Sequence, residues 1–173
     1  DKGEAMPEVP VAKISGELVE PKIWNSEAQV ASECEALIGE ARKLRDELVS
    51  VEGERTADNT LGFMNQIYVR VDRVLPLSEL MANVHPEKEV RDAAEKCQQD
   101  AMKFVSELQL DRQVFDALAS LDAASLDGSA KRSYEEILRD YRRSGVDKDD
   151  ATRERLKELH ELMVKTGQEF ARR

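Results

Sequence analysis

The chain is poor in the residues that mark most functional classes. Its 173 residues include two cysteines, two histidines, five prolines, one tryptophan, three tyrosines and four phenylalanines. Cys34 and Cys97 are too few for a disulfide framework and match no metal-ligand spacing. Both are therefore expected as reduced core thiols. Few aromatics beside 36% charged residues argue against a β-sandwich and for long amphipathic helices. No apolar run reaches the roughly 18 residues that a bilayer crossing needs, and no charged-then-apolar signal peptide is present. A net charge of -10 argues against a nucleic acid or an anionic membrane as partner, because both demand a basic face.

What is present is helical period. Residues 1–22 hold Pro7, Pro10 and Pro21 and read as a flexible segment, leaving 23–173 as one helical domain. Ser26 with Gln29 three residues on forms a helix-start signal. Val30, Cys34, Leu37, Ala41, Leu44, Leu48 and Val51 then alternate by four and three as one apolar seam, and Gly53 supplies the stop. A second helix is expected after Thr56, with a seam at Leu61, Met64, Tyr68, Val71 and Leu75; Pro76 should kink or split it. His85-Pro86 punctuates the chain, and Pro86 should open a third helix with a seam at Val90, Ala94, Cys97, Ala101, Phe104 and Leu108.

Three further helices are expected. One runs around Arg112 to Ala123, and one around Ser129 to Arg143 is closed by Gly145. The last starts near Asp149-Asp150 with its seam at Leu156, Leu159, Met163 and Phe170. Its pattern reaches Arg173 with no Gly, Pro or cap, so the natural chain is expected to continue. The sum is an all-α fold, an elongated antiparallel bundle of about six helices. Gly39, Gly62 and Gly167 fall singly inside helical patterns and could mark close helix contacts.

Catalytic constellations are incomplete. His160-Glu161-Leu162-Met163-Val164 begins like a helical His-Glu-x-x-His zinc motif, but Val164 stands where the second histidine belongs. The other histidine, His85, lies in a different segment and reads as a cap or turn residue. Glu135-Glu136 and Asp147 to Asp150 could pair as acid and base, but without a cleft they are solvated helix faces. No phosphate loop or glycine-flanked nucleophile occurs. No catalytic, cofactor-binding or metal-ligating residue is assigned to this chain.

The ordered blocks Thr56 to Leu61, Asn83-Val84-His85-Pro86-Glu87 through Lys96, Leu138-Arg139-Asp140-Tyr141-Arg142-Arg143-Ser144-Gly145-Val146, Thr152 to Leu159 and Gly167 to Phe170 resemble the N-terminal region of the thimet oligopeptidase, neurolysin and oligopeptidase A family of zinc metallopeptidases. The resemblance covers about residues 26 to 173. It implies a clam-like helical peptidase in which this part forms one wall of a substrate channel. The zinc, its His-Glu-x-x-His helix and the general-base Glu would belong to the rest of the polypeptide, which would be this chain's partner along with short peptide substrates. The alternative is a free-standing helical adaptor without enzymatic activity. A third arrangement would have Arg172-Arg173 as a processing site, with the two pieces held together. The expected compartment is the cytoplasm, or the periplasm if Asp1 follows a removed leader.

Overall fold

The computed structural model describes residues 23–171. The Pro-containing segment 1–22 and the Arg172-Arg173 pair lie outside the described residues. Six α-helices follow in order: α1 (Glu27–Ser50), α2 (Gly62–Val84), α3 (Lys88–Gln109), α4 (Arg112–Ala119), α5 (Gly128–Ser144) and α6 (Asp150–Ala171). A π-turn at Ala57–Leu61 leads into α2, and a 3-10 turn at Ala123–Ser125 lies between α4 and α5. The described residues contain no strand. The all-α expectation holds.

Local chemistry sets the boundaries. Ser26 caps α1 by accepting from the Gln29 amide at 3.3 Å, while the Gln29 side chain accepts from the Asn25 amide at 3.0 Å. Gly53 adopts φ +82° in the turn that follows α1. Thr56 and Asn59 cap each other's backbone reciprocally, at 3.3 and 2.8 Å, and start the π-turn. Asp111, Asp127 and Asp149 each cap the helix they precede. Gly145 ends α5 at φ +94°, in the left-handed region that residues bearing a Cβ avoid.

The prolines settle where the helices divide. Pro76 lies inside α2 and does not split it, since the helix runs from Gly62 to Val84. Packing on both flanks holds α2 together where the proline removes one backbone donor. Pro86 stands outside α3, whose cap is Glu87 and whose first residue is Lys88.

The core is built round α1, α2 and α3, and its larger cluster also takes in Val114, Phe115 and Leu118 of α4 and Tyr134, Leu138 and Tyr141 of α5. Cys34 pairs with Cys97, Arg42 with Glu107 and Arg45 with Asp111, so residue numbers rise together along α1 and α3 and the two helices run parallel. The middle helix α2 is antiparallel to both. Its Val74 and Met81 share a cluster with Val30, Cys34, Val90 and Cys97, whereas its Met64 and Ile67 share one with Leu48, Phe104 and Leu108. Packed on two sides, α2 buries Met64, Ile67, Val71, Val74, Ser78 and Met81; of the expected seam Met64 and Val71 belong to this set, while Leu61, Tyr68 and Leu75 are half-buried.

The largest correction concerns the cysteines. Cys34 and Cys97 are joined as a disulfide across α1 and α3, with Cα atoms 5.9 Å apart. They are not the reduced thiols expected from their number. Two cysteines cannot make a framework, but sitting on facing seams of two parallel helices brings them within bonding distance.

Two packing expectations also fail. A Cβ built on Gly39 or Gly167 meets nothing within 4 Å, and one on Gly62 meets only the Ala57 carbonyl oxygen at 3.8 Å, so these glycines do not mark close contacts. The second concerns α6. None of its described side chains, residues 150–170, is buried, and the seam expected to face inward is exposed at Leu159, Met163 and Phe170.

Candidate functional site

Of the six helices, α6 has the least cover. Lys103 pairs with Glu161 at 3.0 Å, and Gln168 bonds both Gln99, at 2.6 Å, and Gln98, at 3.0 Å, so α6 runs antiparallel along α3. The side chains half-covered there are Arg153, Leu156, Lys157, His160, Val164 and Gln168, a largely polar stripe. The apolar stripe points elsewhere. Leu159 is 38% exposed, Leu162 59%, Met163 70% and Phe170 80%. At about 100° per residue, Leu159, Met163 and Phe170 sit roughly 60–100° round the helix from His160. This ridge leaves four large apolar side chains in water on one helix, more than scattered surface apolar residues account for.

The incomplete zinc string lies on this helix. Glu161 is engaged by Lys103, whose pKa is raised, chiefly by that hydrogen bond. His160 lines a small groove against α3 beside Gln99, Met102 and Ser106, while Val164 occupies the position one turn on. His85 is at the α2–α3 turn. Its backbone is extended, its amide donates to the Met81 carbonyl, and its Nδ1 accepts from the Glu87 amide at 3.1 Å. Arg91 fixes the same turn by donating to the His85 and Pro86 carbonyls at 2.7 and 2.8 Å. The expected cap-or-turn role of His85 is thus what its bonds perform. The two histidines are not brought together in any cluster, and among the described residues no three His, Cys, Asp or Glu side chains could hold a metal ion.

The carboxylate runs are spent on structure. Glu136 pairs with Arg132 one turn away on α5, and Glu135 is exposed beside it. In the α5–α6 turn Asp147 pairs with Lys148 and Asp150 with Arg153, while Asp149 accepts from the Thr152 amide at 2.9 Å and its hydroxyl at 2.8 Å. The Thr152 amide, then its hydroxyl, hold the Asp149 carboxyl below the usual carboxylate range. No facing carboxylate pair of the acid–base kind is formed by these residues.

A second constellation was not legible in the sequence. Arg45 on α1 donates through Nε to Asp111 at 2.7 Å and through Nη2 to Gln113 at 2.7 Å, and its Nη2 also stands 2.6 Å from the same Asp111 oxygen as an ion pair. Nearby, Arg42 lies over the Phe104 ring, and Arg112 and Arg142 lie over Phe115, with 5.1 to 5.7 Å from guanidinium carbon to ring centroid. These cations line or flank a groove of about 640 Å³ between α1, α3, α4 and α6. It contains as many anions as cations, Asp46, Glu107, Asp111, Asp150 and Glu154 against Arg42, Arg45, Arg112, Arg153 and Lys157, so it has no net attraction for an anion. No single position in the sequence flags this network, because the pairs that tie α1 to α3 and α4, Arg42–Glu107, Arg45–Asp111 and Arg45–Gln113, join residues 65 to 68 apart.

Among the described residues no helix is long and apolar enough to cross a membrane. Comparison with family models and with curated proteins gives no match. The functional reading therefore rests on the exposed ridge of α6, the missing metal ligand and the ordered blocks of resemblance.

Proposed function

We propose that this chain is the non-catalytic N-terminal helical part of a zinc metallo-oligopeptidase of the thimet oligopeptidase and neurolysin type, and that it forms one wall of the substrate channel. The observation that carries this is the ridge of α6. A helix with an apolar stripe but no buried residue among its described side chains behaves like a core helix whose neighbour belongs to another part of the protein. The resembling blocks support the same reading, because they fall at structural joints: the reciprocal cap at Thr56, the His85-Pro86 turn, and the Tyr141 to Val146 corner where α5 ends.

In this role the chain supplies shape and charge, and the zinc chemistry is assigned to the remainder of the polypeptide. A helical wall admits short, unfolded peptides and excludes folded ones. The net charge of -10 would draw basic peptides to the channel mouth. The role would be the same in the cytoplasm and in the periplasm.

The reading frame beyond Arg173 provides the test. It should continue into a helix bearing His-Glu-x-x-His, and the full-length product should hydrolyse oligopeptides, basic ones faster at low salt. The 173-residue piece alone should bind no stoichiometric zinc and cleave nothing. A stop codon directly after Arg173 would overturn the proposal and leave the free-standing adaptor, for which the same ridge would be the docking face.

A further inference from the structure

The Cys34–Cys97 bond bears on where the protein is made and works. Both sulfurs belong to the smaller of two hydrophobic clusters, among Trp24, Val30, Val74, Met81, Val90 and Ala94, and both residues are almost wholly buried. They are the two cysteines of these 173 residues, so within them no other pairing exists. Neither cysteine belongs to a Cys-x-x-Cys pair or a metal cluster, the usual reasons for paired cysteines in a reducing cytosol. The bond closes a loop with a sequence separation of 63, and it ties α1 to α3 where Ala94 and Ala101 give the core little bulk.

We propose that Cys34–Cys97 is a permanent structural disulfide and that the protein matures in an oxidising, extracytoplasmic compartment. Two thiols become one disulfide by losing two electrons and two protons, which requires an oxidant. The class of oxidant is a protein dithiol–disulfide oxidase. One cysteine thiolate attacks the oxidase disulfide to form a mixed disulfide and expel one oxidase thiol. The second cysteine then displaces the other, leaving the oxidase as a dithiol. Cys34 and Cys97 both line a groove of about 560 Å³ between α1 and α3, together with Gly39 and Ala93. This inference does not depend on the peptidase reading.

The test is to trap thiols in cells that make the protein naturally. Acid quenching, alkylation without reductant and peptide mapping, on separated cytosolic and extracytoplasmic fractions, should recover the Cys34 and Cys97 peptides linked to each other, unalkylated and outside the cytosol. Alkylated cysteines in most chains, or the bulk of the protein in the cytosolic fraction, would overturn the proposal. A second measurement uses Trp24, the single tryptophan, which is buried in the same cluster and donates to Glu33 at 3.2 Å. On reduction its fluorescence should shift to the red on heating at a temperature lower by about 5–15 °C. An unchanged melting temperature in the reduced protein would show that the bond is not structural.

Discussion

Asp111 divides its two carboxylate oxygens between two tasks: Oδ2 receives the Arg45 guanidinium at 2.6 and 2.7 Å, and Oδ1 accepts from the Gln113 and Val114 amides at 2.9 and 3.3 Å. One side chain therefore both starts α4 and fastens it to α1. Asp111→Ala should lose a cap worth about 1 kcal/mol and a partly covered ion pair of the same order, roughly 2 kcal/mol in all. Asp111→Asn keeps a capping oxygen and should cost about half as much. Urea unfolding midpoints of the two variants would show the difference; equal losses would mean that the cap contributes nothing.

Gly145 and Gly39 should respond to alanine with opposite signs. At Gly145 the backbone is left-handed, and a Cβ would come within 2.7 Å of Leu156 Cδ1, so Gly145→Ala should cost about 2 kcal/mol and disturb the α5–α6 corner. At Gly39 a Cβ meets nothing within 4 Å inside α1, so Gly39→Ala should stabilise by about 0.5–1 kcal/mol through helix propensity. Thermal melts followed by circular dichroism decide both.

Two tyrosines form a controlled pair. The Tyr134 hydroxyl donates to the Leu121 carbonyl at 3.3 Å, whereas the Tyr141 hydroxyl is buried and finds no partner among the described residues. Tyr134→Phe should cost up to about 1 kcal/mol, while Tyr141→Phe should be neutral or slightly stabilising. Burial pushes the Tyr141 phenol well above its ordinary value of 10.0. A raised folded-state pKa gives stability that is present below pH 10 and lost as pH rises beyond it. Tyr141→Phe should therefore flatten the fall in unfolding free energy between neutral and strongly alkaline pH.

Acid should act through the caps of α5 and α6. The Ala130 amide, followed by the Ser129 hydroxyl, holds the Asp127 carboxyl below its usual range, and the Thr152 amide and hydroxyl do the same for Asp149. A depressed folded-state pKa gives stability that is present above the unfolded value of about 3.9 and lost as pH falls through the folded one. Replacing both with Asn, which caps but does not titrate, should make helicity less sensitive to acid below about pH 4. Superimposable pH titrations of wild type and double variant, read by circular dichroism, would remove the caps from the account.

Much of the fold was legible because helices announce themselves locally. The seam Val30, Cys34, Ala41 and Leu48, the cap at Ser26, the stop at Gly145 and the turn at His85 involve residues within a few positions of one another, and each follows from period and backbone chemistry. The incomplete zinc string was equally legible, since a missing histidine at position 164 needs no structure to be seen.

Other features could not be read this way. The 3.6-residue period shows that a helix has an apolar stripe, but not whether a neighbour covers it. The stripe of α3 is buried, whereas Leu159, Met163 and Phe170 on α6 are in water. The Arg45–Asp111 pair is likewise a product of helix placement.

The sequence by itself determined the class of fold, the cap at Ser26, the stop at Gly145 and the valine that stands where a second histidine would follow His160-Glu161, because these depend on side-chain type and short spacing. Only the tertiary structure decided that Cys34 meets Cys97, that α6 lies on α3 by a polar stripe, and that its apolar ridge faces outward. Those outcomes depend on the rotation and parallel alignment of helices far apart in the chain, which a local periodicity does not encode.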